Sequence, residues 1–235
     1  MNKEEFINCL KELNIVLNDE ILNKLDKYFK LLVEWNNKFN LTTILEEKSV
    51  YLKHFYDSIC IVRTGLIENK NIKLCDFGTG AGFPGIVIKI FFPNINVTLI
   101  ESNNKKCIFL NEVIKELELK NIEIINTRME TYSKNNRESF DIVTCRAVSH
   151  LKIISELAIP LLKVNGYFLP LKSNIDNEII ESKDILNKLY SKIENIISYE
   201  LPIENSKRNI LIIKKIKETD LKYPREYNKI IKRIK

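Results

Sequence analysis

Histidine is scarce in this chain and cysteine has no pairing pattern: its 235 residues hold two histidines and five cysteines, Cys9, Cys60, Cys75, Cys107 and Cys145, without a C-x-x-C spacing. That excludes a zinc module and a disulfide framework, and it implies a reducing compartment. Long apolar runs are missing as well. None approaches the roughly 20 residues that a membrane-spanning helix needs. The opening Met1-Asn2-Lys3-Glu4-Glu5 is charged, with no uninterrupted apolar stretch behind it, so no secretory leader is expected. No repeat or low-complexity linker interrupts the chain. A cytoplasmic protein that keeps off membranes is the expectation.

What is present suits one large domain, or one domain with an extension. Hydrophobic residues make up 45% of the chain and can fill a core. The net charge of +6 is mild for a nucleic-acid binder. Lys105-Lys106, Lys207-Arg208, Lys214-Lys215 and the Lys229 to Lys235 segment could meet phosphates, although solvated faces give the same pattern. Residues 1–63 contain no strand-like run. Ile21, Leu25, Tyr28 with Phe29, Leu32, Trp35 and Phe39 recur at helical spacing after Asn18 and Asp19, which can cap a helix start. Trp35 and Phe39 fall in that register and read as core anchors. A further helix is expected over Glu46 to Ile61.

From Ile72 the pattern changes to short β-rich runs alternating with helical ones, at Ile72–Phe77, Val97–Ile100, Ile122–Ile125, Ile142–Cys145 and Tyr167–Leu171. This is βαβ alternation, which predicts an α/β sheet flanked by helices. Ile193–Leu201 and Asn209–Ile216 are joined by a polar connection and predict a C-terminal antiparallel hairpin closing the sheet.

Of the six glycines, Gly78, Gly80, Gly82 and Gly85 crowd into Asp76-Phe77-Gly78-Thr79-Gly80-Ala81-Gly82-Phe83-Pro84-Gly85, at the end of the first strand. Such a turn lets backbone approach a ligand. A dinucleotide fingerprint needs glycine at its first, third and sixth positions, but the sixth from Gly78 is Phe83. Asp76-x-Gly78-x-Gly80-x-Gly82 resembles instead the first motif of S-adenosylmethionine-dependent methyltransferases. Glu101, ending the next strand about twenty residues on, is placed to hold ribose hydroxyls.

Narrower segments follow: Trp35-Asn36-Asn37-Lys38-Phe39-Asn40-Leu41-Thr42, His54-Phe55-Tyr56-Asp57-Ser58, the Phe83-Pro84-Gly85 loop ending, Glu101-Ser102 with Lys105-Lys106 and Phe109-Leu110, Arg128-Met129-Glu130, and Asp141-Ile142-Val143 running into Arg146-Ala147. Together they resemble the RsmG (GidB) family of bacterial 16S ribosomal RNA guanine-N7 methyltransferases. The resemblance implies a Rossmann-like class I fold for residues 64–235, with residues 1–63 as a helical extension packed on it. It also implies S-adenosylmethionine as cofactor, 16S ribosomal RNA or the small ribosomal subunit as partner, and no metal; a monomer is expected. Gly78 and Phe83 match family cofactor contacts, Met129 and Glu130 the adenine-side pair, and Arg146 a further contact near the transferred methyl. With Asp76, Gly80, Gly82 and Glu101 they form the candidate cofactor set. Lys105, Lys106 and Arg225 are candidate RNA contacts. The chain departs from the family after Tyr223-Pro224-Arg225, where Glu226-Tyr227-Asn228 replaces a glycine- and proline-containing basic tail.

Guanine N7 presents a lone pair and gives up no proton on methylation, so no general base is expected and Arg146 is assigned positioning. Cys145, inside Ile-Val-Thr-Cys, reads as core filling rather than as a nucleophile. His54 is left between a substrate contact and an interdomain strut. The alternatives are a methyltransferase for another RNA position or a small molecule, and a non-catalytic RNA-binding or ribosome-assembly protein.

Overall fold

The computed structural model describes residues 1–232; the last three positions of the lysine-rich C-terminal segment lie outside the described residues. The N-terminal part is helical. Helix α1, Lys3–Glu12, starts with a capping box in which Asn2 and Glu5 exchange side-chain and backbone bonds. Helix α2, Asp19–Asn36, is capped by Asn18, whose side chain accepts from the Ile21 N–H. The expected third helix is a chain of short pieces: α3, Glu47–Val50, a π-helical segment Tyr51–Tyr56, α4, Asp57–Ile59, and a 3-10 turn Cys60–Thr64.

The rest alternates as predicted. Strand β1, Lys73–Phe77, leads to helix α5, Gly85–Phe91; β2, Asn96–Glu101, to α6, Asn104–Glu116; β3, Ile122–Asn126, to α7, Met129–Asn135; and β4, Phe140–Arg146, to α8, Leu151–Ala158. Strand β5, Leu162–Lys172, is followed by α9, Asp176–Lys188, then by the hairpin of β6, Ser191–Glu200, and β7, Lys207–Lys215; a short α10 covers Tyr227–Ile231. The sheet order is β3-β2-β1-β4-β5-β7-β6. Strands β1 to β5 pair in parallel, and β7 is antiparallel to both of its neighbours. The hairpin thus closes the sheet as expected, with its second strand inserted beside β5.

Strand alternation explains why both faces are covered. Leu74, Leu99, Ile142, Leu169 and Ile210 join one apolar cluster with Tyr28, Phe55 and the α5 residues. Their neighbours Cys75, Ile100, Val143, Phe168 and Leu211 join another with α8 and α9. Residues 1–63 therefore pack into the first cluster rather than beside the sheet, and Trp35 and Phe39 lie against it as core anchors. Among the described residues no helix is long and apolar enough to cross a membrane.

Candidate functional site

The strand order reverses between β1 and β4, and ligands of open α/β sheets bind beyond the carboxyl ends of the strands at such a point. Gly78 follows β1, Glu101 ends β2 and Arg146 ends β4, so the fold brings together the residues on which the sequence analysis settled.

Below the glycine loop lies Asp76, fully buried. Its Oδ2 accepts from the Thr79 hydroxyl at 2.5 Å and from the Gly85 N–H at 2.8 Å. A Cβ at Gly85 would stand 2.8 Å from that oxygen and 2.4 Å from Leu99 Cδ2, so this contact requires glycine. Burial pushes the Asp76 carboxyl up to about 7, against the lowering effect of those bonds and of Arg146. Asp76 thus acts from beneath, by shaping the loop. Glu101 braces the loop from the side: its Oε2 accepts from the Gly80 N–H at 3.0 Å and its Oε1 from the Asn103 N–H at 2.7 Å. Each oxygen keeps a lone pair for a further donor. Tyr28 on α2 donates to the Ala81 carbonyl and stacks on Phe83 at 5.3 Å, while a Cβ at Gly82 would meet the Tyr28 hydroxyl at 2.5 Å.

A cavity of about 200 Å³ opens over this loop, lined among others by Gly78, Ser102, Met129, Glu130 and Val148. A second, of about 610 Å³, lies beyond Val148 and is lined by Lys53, His54, Asp57, Arg146, Lys172, Glu178 and Arg208. Val148 belongs to both, so the cavities abut.

Arg146 lines the larger one, two residues before Val148. One of its terminal nitrogens donates to the Lys53 carbonyl at 2.8 Å and pairs with Asp57 at 3.2 Å; the other lies 3.1 Å from His54 Nδ1. A guanidinium only donates, so Nδ1 accepts and Nε2 carries the proton toward Thr42 Oγ1, 3.1 Å away. The His54 ring stacks on Phe83 at 4.4 Å, and the Arg146 guanidinium lies 5.3 Å from the Phe83 ring centre. His54 is therefore a strut carrying Arg146, and Asp57 is not its partner. Asp57 pairs instead with Arg146, with Arg208 at 3.4 Å, and accepts from the Tyr199 hydroxyl at 3.1 Å. Sequence reasoning did not give this carboxylate its role. The π-helical segment before it is the backbone sign of a specialised site, but its extra residue per turn leaves no periodic trace in so short a stretch.

Burial, then the Arg146 charge, hold His54 down to about 3. The unfolded chain takes up this proton near 6.5, so between these values it binds more protons than the folded one. His54 thus contributes stability that is complete above pH 6.5 and drains away as pH falls toward 3. Asp76, raised from 3.8, works oppositely: its contribution is complete below 3.8 and is lost as pH rises through 7. Comparison with His54→Phe isolates the first effect. In urea melts from pH 7 to pH 4, wild type should lose on the order of a few kcal/mol more than the variant. Equal losses would refute a neutral His54.

Other candidates are placed as follows. Lys105 lies 5.6 Å over the Phe39 ring, and Lys106 Nζ comes within 4.0 Å of where a Gly80 Cβ would be. Both border a recess with Asn37 and Asn40. Lys106 thus reaches the glycine loop itself. Arg225 is engaged within the fold: its backbone N–H, Nε and a terminal nitrogen all donate to Glu156, at 2.9, 2.7 and 2.5 Å, and that carboxylate is fully buried. A charge so deep needs its partner. Cys145 is 1% exposed, and burial holds its thiol well above the ordinary range, as befits core filling.

The model of the family described as "rRNA small subunit methyltransferase G" matches residues 21–211. Proteins called ribosomal RNA small subunit methyltransferase G from Streptococcus pneumoniae and Bacillus subtilis are each 47% identical over 229 residues; this covers 96% of this chain and 96% and 95% of theirs. The chain belongs to the GidB family. The fold of GidB proteins is shared more widely. A SAM-dependent methyltransferase from Aquifex aeolicus matches at TM-score 0.54 with 17% identity, covering 73% of this chain and 95% of that one. TYW2 of M. jannaschii, solved in complex with AdoMet, also matches at 0.54, with 18% identity over 68% of this chain and 77% of that one. These confirm a class I methyltransferase fold.

Proposed function

We propose that this GidB protein transfers a methyl group from S-adenosylmethionine to N7 of one guanine in 16S ribosomal RNA, with the cofactor in the smaller cavity and the base in the larger. The observation that carries this reading is the abutment of the two cavities at Val148, with Arg146 fixed in the wall of the larger one. The cofactor supplies an electrophilic methyl group. Residues of this chain fit it: Glu101 has an acceptor left on each oxygen for ribose hydroxyls, Met129 and Glu130 stand at the adenine side, and Gly78 leaves the cavity floor open. Asp76, Gly80, Gly82 and Phe83 act by holding the loop in shape.

The larger cavity suits a base presented from RNA. Lys53, Arg146, Lys172 and Arg208 set positive charge around it for the phosphates, with Asp57 and Glu178 as acidic counterparts. No group with the geometry of a base catalyst is required, because N7 has no proton to lose. Alignment of the nucleophile is what the site provides, and alignment alone is worth several kcal/mol. Arg146, held at three points, is the positioning group. Residues 1–63 are then an extension that supplies one wall of the substrate site through Lys53, His54 and Asp57. Lys105 and Lys106, beside the loop, extend the basic rim.

The test is methyl transfer from labelled S-adenosylmethionine to small ribosomal subunits, and to their purified RNA, from cells lacking this protein. N7-methylguanine is expected at a single position. Label at another atom, or no label despite bound cofactor, would refute the assignment.

A further inference from the structure

The segment after Pro224 has no role in the site as described, yet its first helix reaches the smaller cavity. Tyr227, the first residue of α10, lines that cavity together with Met129, Glu130 and Leu157. The ring is half-buried and packs against the apolar cluster that contains Ile100, Met129 and Leu157. Its placement is fixed from two sides. Arg225 is clamped to the buried Glu156 of α8, while Glu226 pairs with Lys134 of α7. Ile230, one turn on, is 1% exposed and anchors the other end. Helices α7 and α8 are the elements that carry Met129 and Leu157, so the tail is tied to the cavity walls at the points where it adds to them.

We propose that Tyr227 is a cofactor-binding residue, its ring closing the adenosine side of the smaller cavity. This deepens the reading above and rests on it. An aromatic face is the side chain best suited to cover a purine, because every base offers a π surface to it. Arg225 and Glu226 are then tail anchors rather than nucleic-acid contacts, and the last described turn of the chain belongs to the cofactor site.

Calorimetric titrations of the full chain with S-adenosylhomocysteine and with 5′-methylthioadenosine test this. The latter keeps the adenosine but not the amino-acid end. Tyr227→Leu retains apolar contact with the cluster and removes the ring; its affinity for both ligands is expected to fall by roughly tenfold. Affinities within about twofold of wild type in a normally melting variant would overturn the proposal. Should Tyr227→Leu melt early, amide exchange of the wild-type chain decides: slower exchange over residues 227–231 with S-adenosylhomocysteine supports the proposal, and unchanged exchange overturns it. Gly78→Asp is the control. If that variant loses both ligands while the Tyr227 measurements show no effect, only the tail proposal fails. If it binds like wild type, the cavity is not the cofactor site and both readings fall.

Discussion

Gly78→Asp is expected to abolish cofactor binding, with affinity for S-adenosylmethionine falling more than about a hundredfold and methyl transfer lost with it, while the chain stays folded. Gly78 sits at φ +61°, exposed to the smaller cavity, with its N–H donating to the Ile100 carbonyl at 2.8 Å. Any side chain there would be strained, although aspartate tolerates this conformation better than most residues, at a cost of about 1 kcal/mol. The new Cβ would lie 2.8 Å from Val148 Cγ2. Val148 is 40% exposed and can turn aside. The fold therefore survives, and the carboxylate occupies the floor where cofactor backbone contact is required. Calorimetry with a circular-dichroism melt checks both halves. Wild-type affinity in a folded variant would show that the loop is not the cofactor cradle.

Asp57→Ala is expected to have the largest effect on stability and to disable methyl transfer as well. This carboxylate is 5% exposed and meets Arg146, Arg208 and Tyr199. The three come from β4, β7 and β6, and Asp57 itself begins α4. Its removal leaves two largely buried guanidinium groups without a counter-charge. Breaking a buried pair costs about 3–5 kcal/mol; the arginine side chains are 14% and 21% exposed, so the low end applies. For a chain of this size about 3 kcal/mol is roughly a 10 °C fall in Tm. Arg146 would keep the Lys53 carbonyl and His54, losing the partner that fixes its distance from the base. Single-turnover methyl transfer at saturating RNA should fall even where the variant is folded, and Asp57→Asn, which retains one acceptor oxygen, should lie between. A melt within about 2 °C of wild type, roughly half a kcal/mol, would contradict this account of Asp57.

The parallel strands were legible because a sheet covered on both faces needs nearly continuous apolar runs, and Leu74 to Phe77 or Leu99 with Ile100 leave no other use for such residues. The loop was legible because glycine clusters only where backbone must come close. Position in the sheet was less so: the hairpin of β6 and β7 follows from its two runs, but that β7 lies between β5 and β6 depends on pairing across the molecule. Pairings over long separations were hidden altogether. Arg225 sits in a basic stretch and reads as surface, whereas its partner Glu156 lies 69 residues earlier on a helix face that otherwise buries apolar residues. Asp57 and His54 sit in a distinctive segment whose residue types did not show that both of them hold Arg146.

Tyr28 carries a consequence for how this chain comes off the ribosome. Its ring stacks on Phe55 and Phe83, and its hydroxyl is bonded to Ala81, so a residue made early is completed by residues made much later. Helix α2 also packs on α5 and α6. During vectorial synthesis the first helices must therefore wait, apolar side outward, until α6 has cleared the exit tunnel. A nascent chain with α6 still inside the tunnel would display a sticky face, and one from which α6 has emerged can begin to cover it.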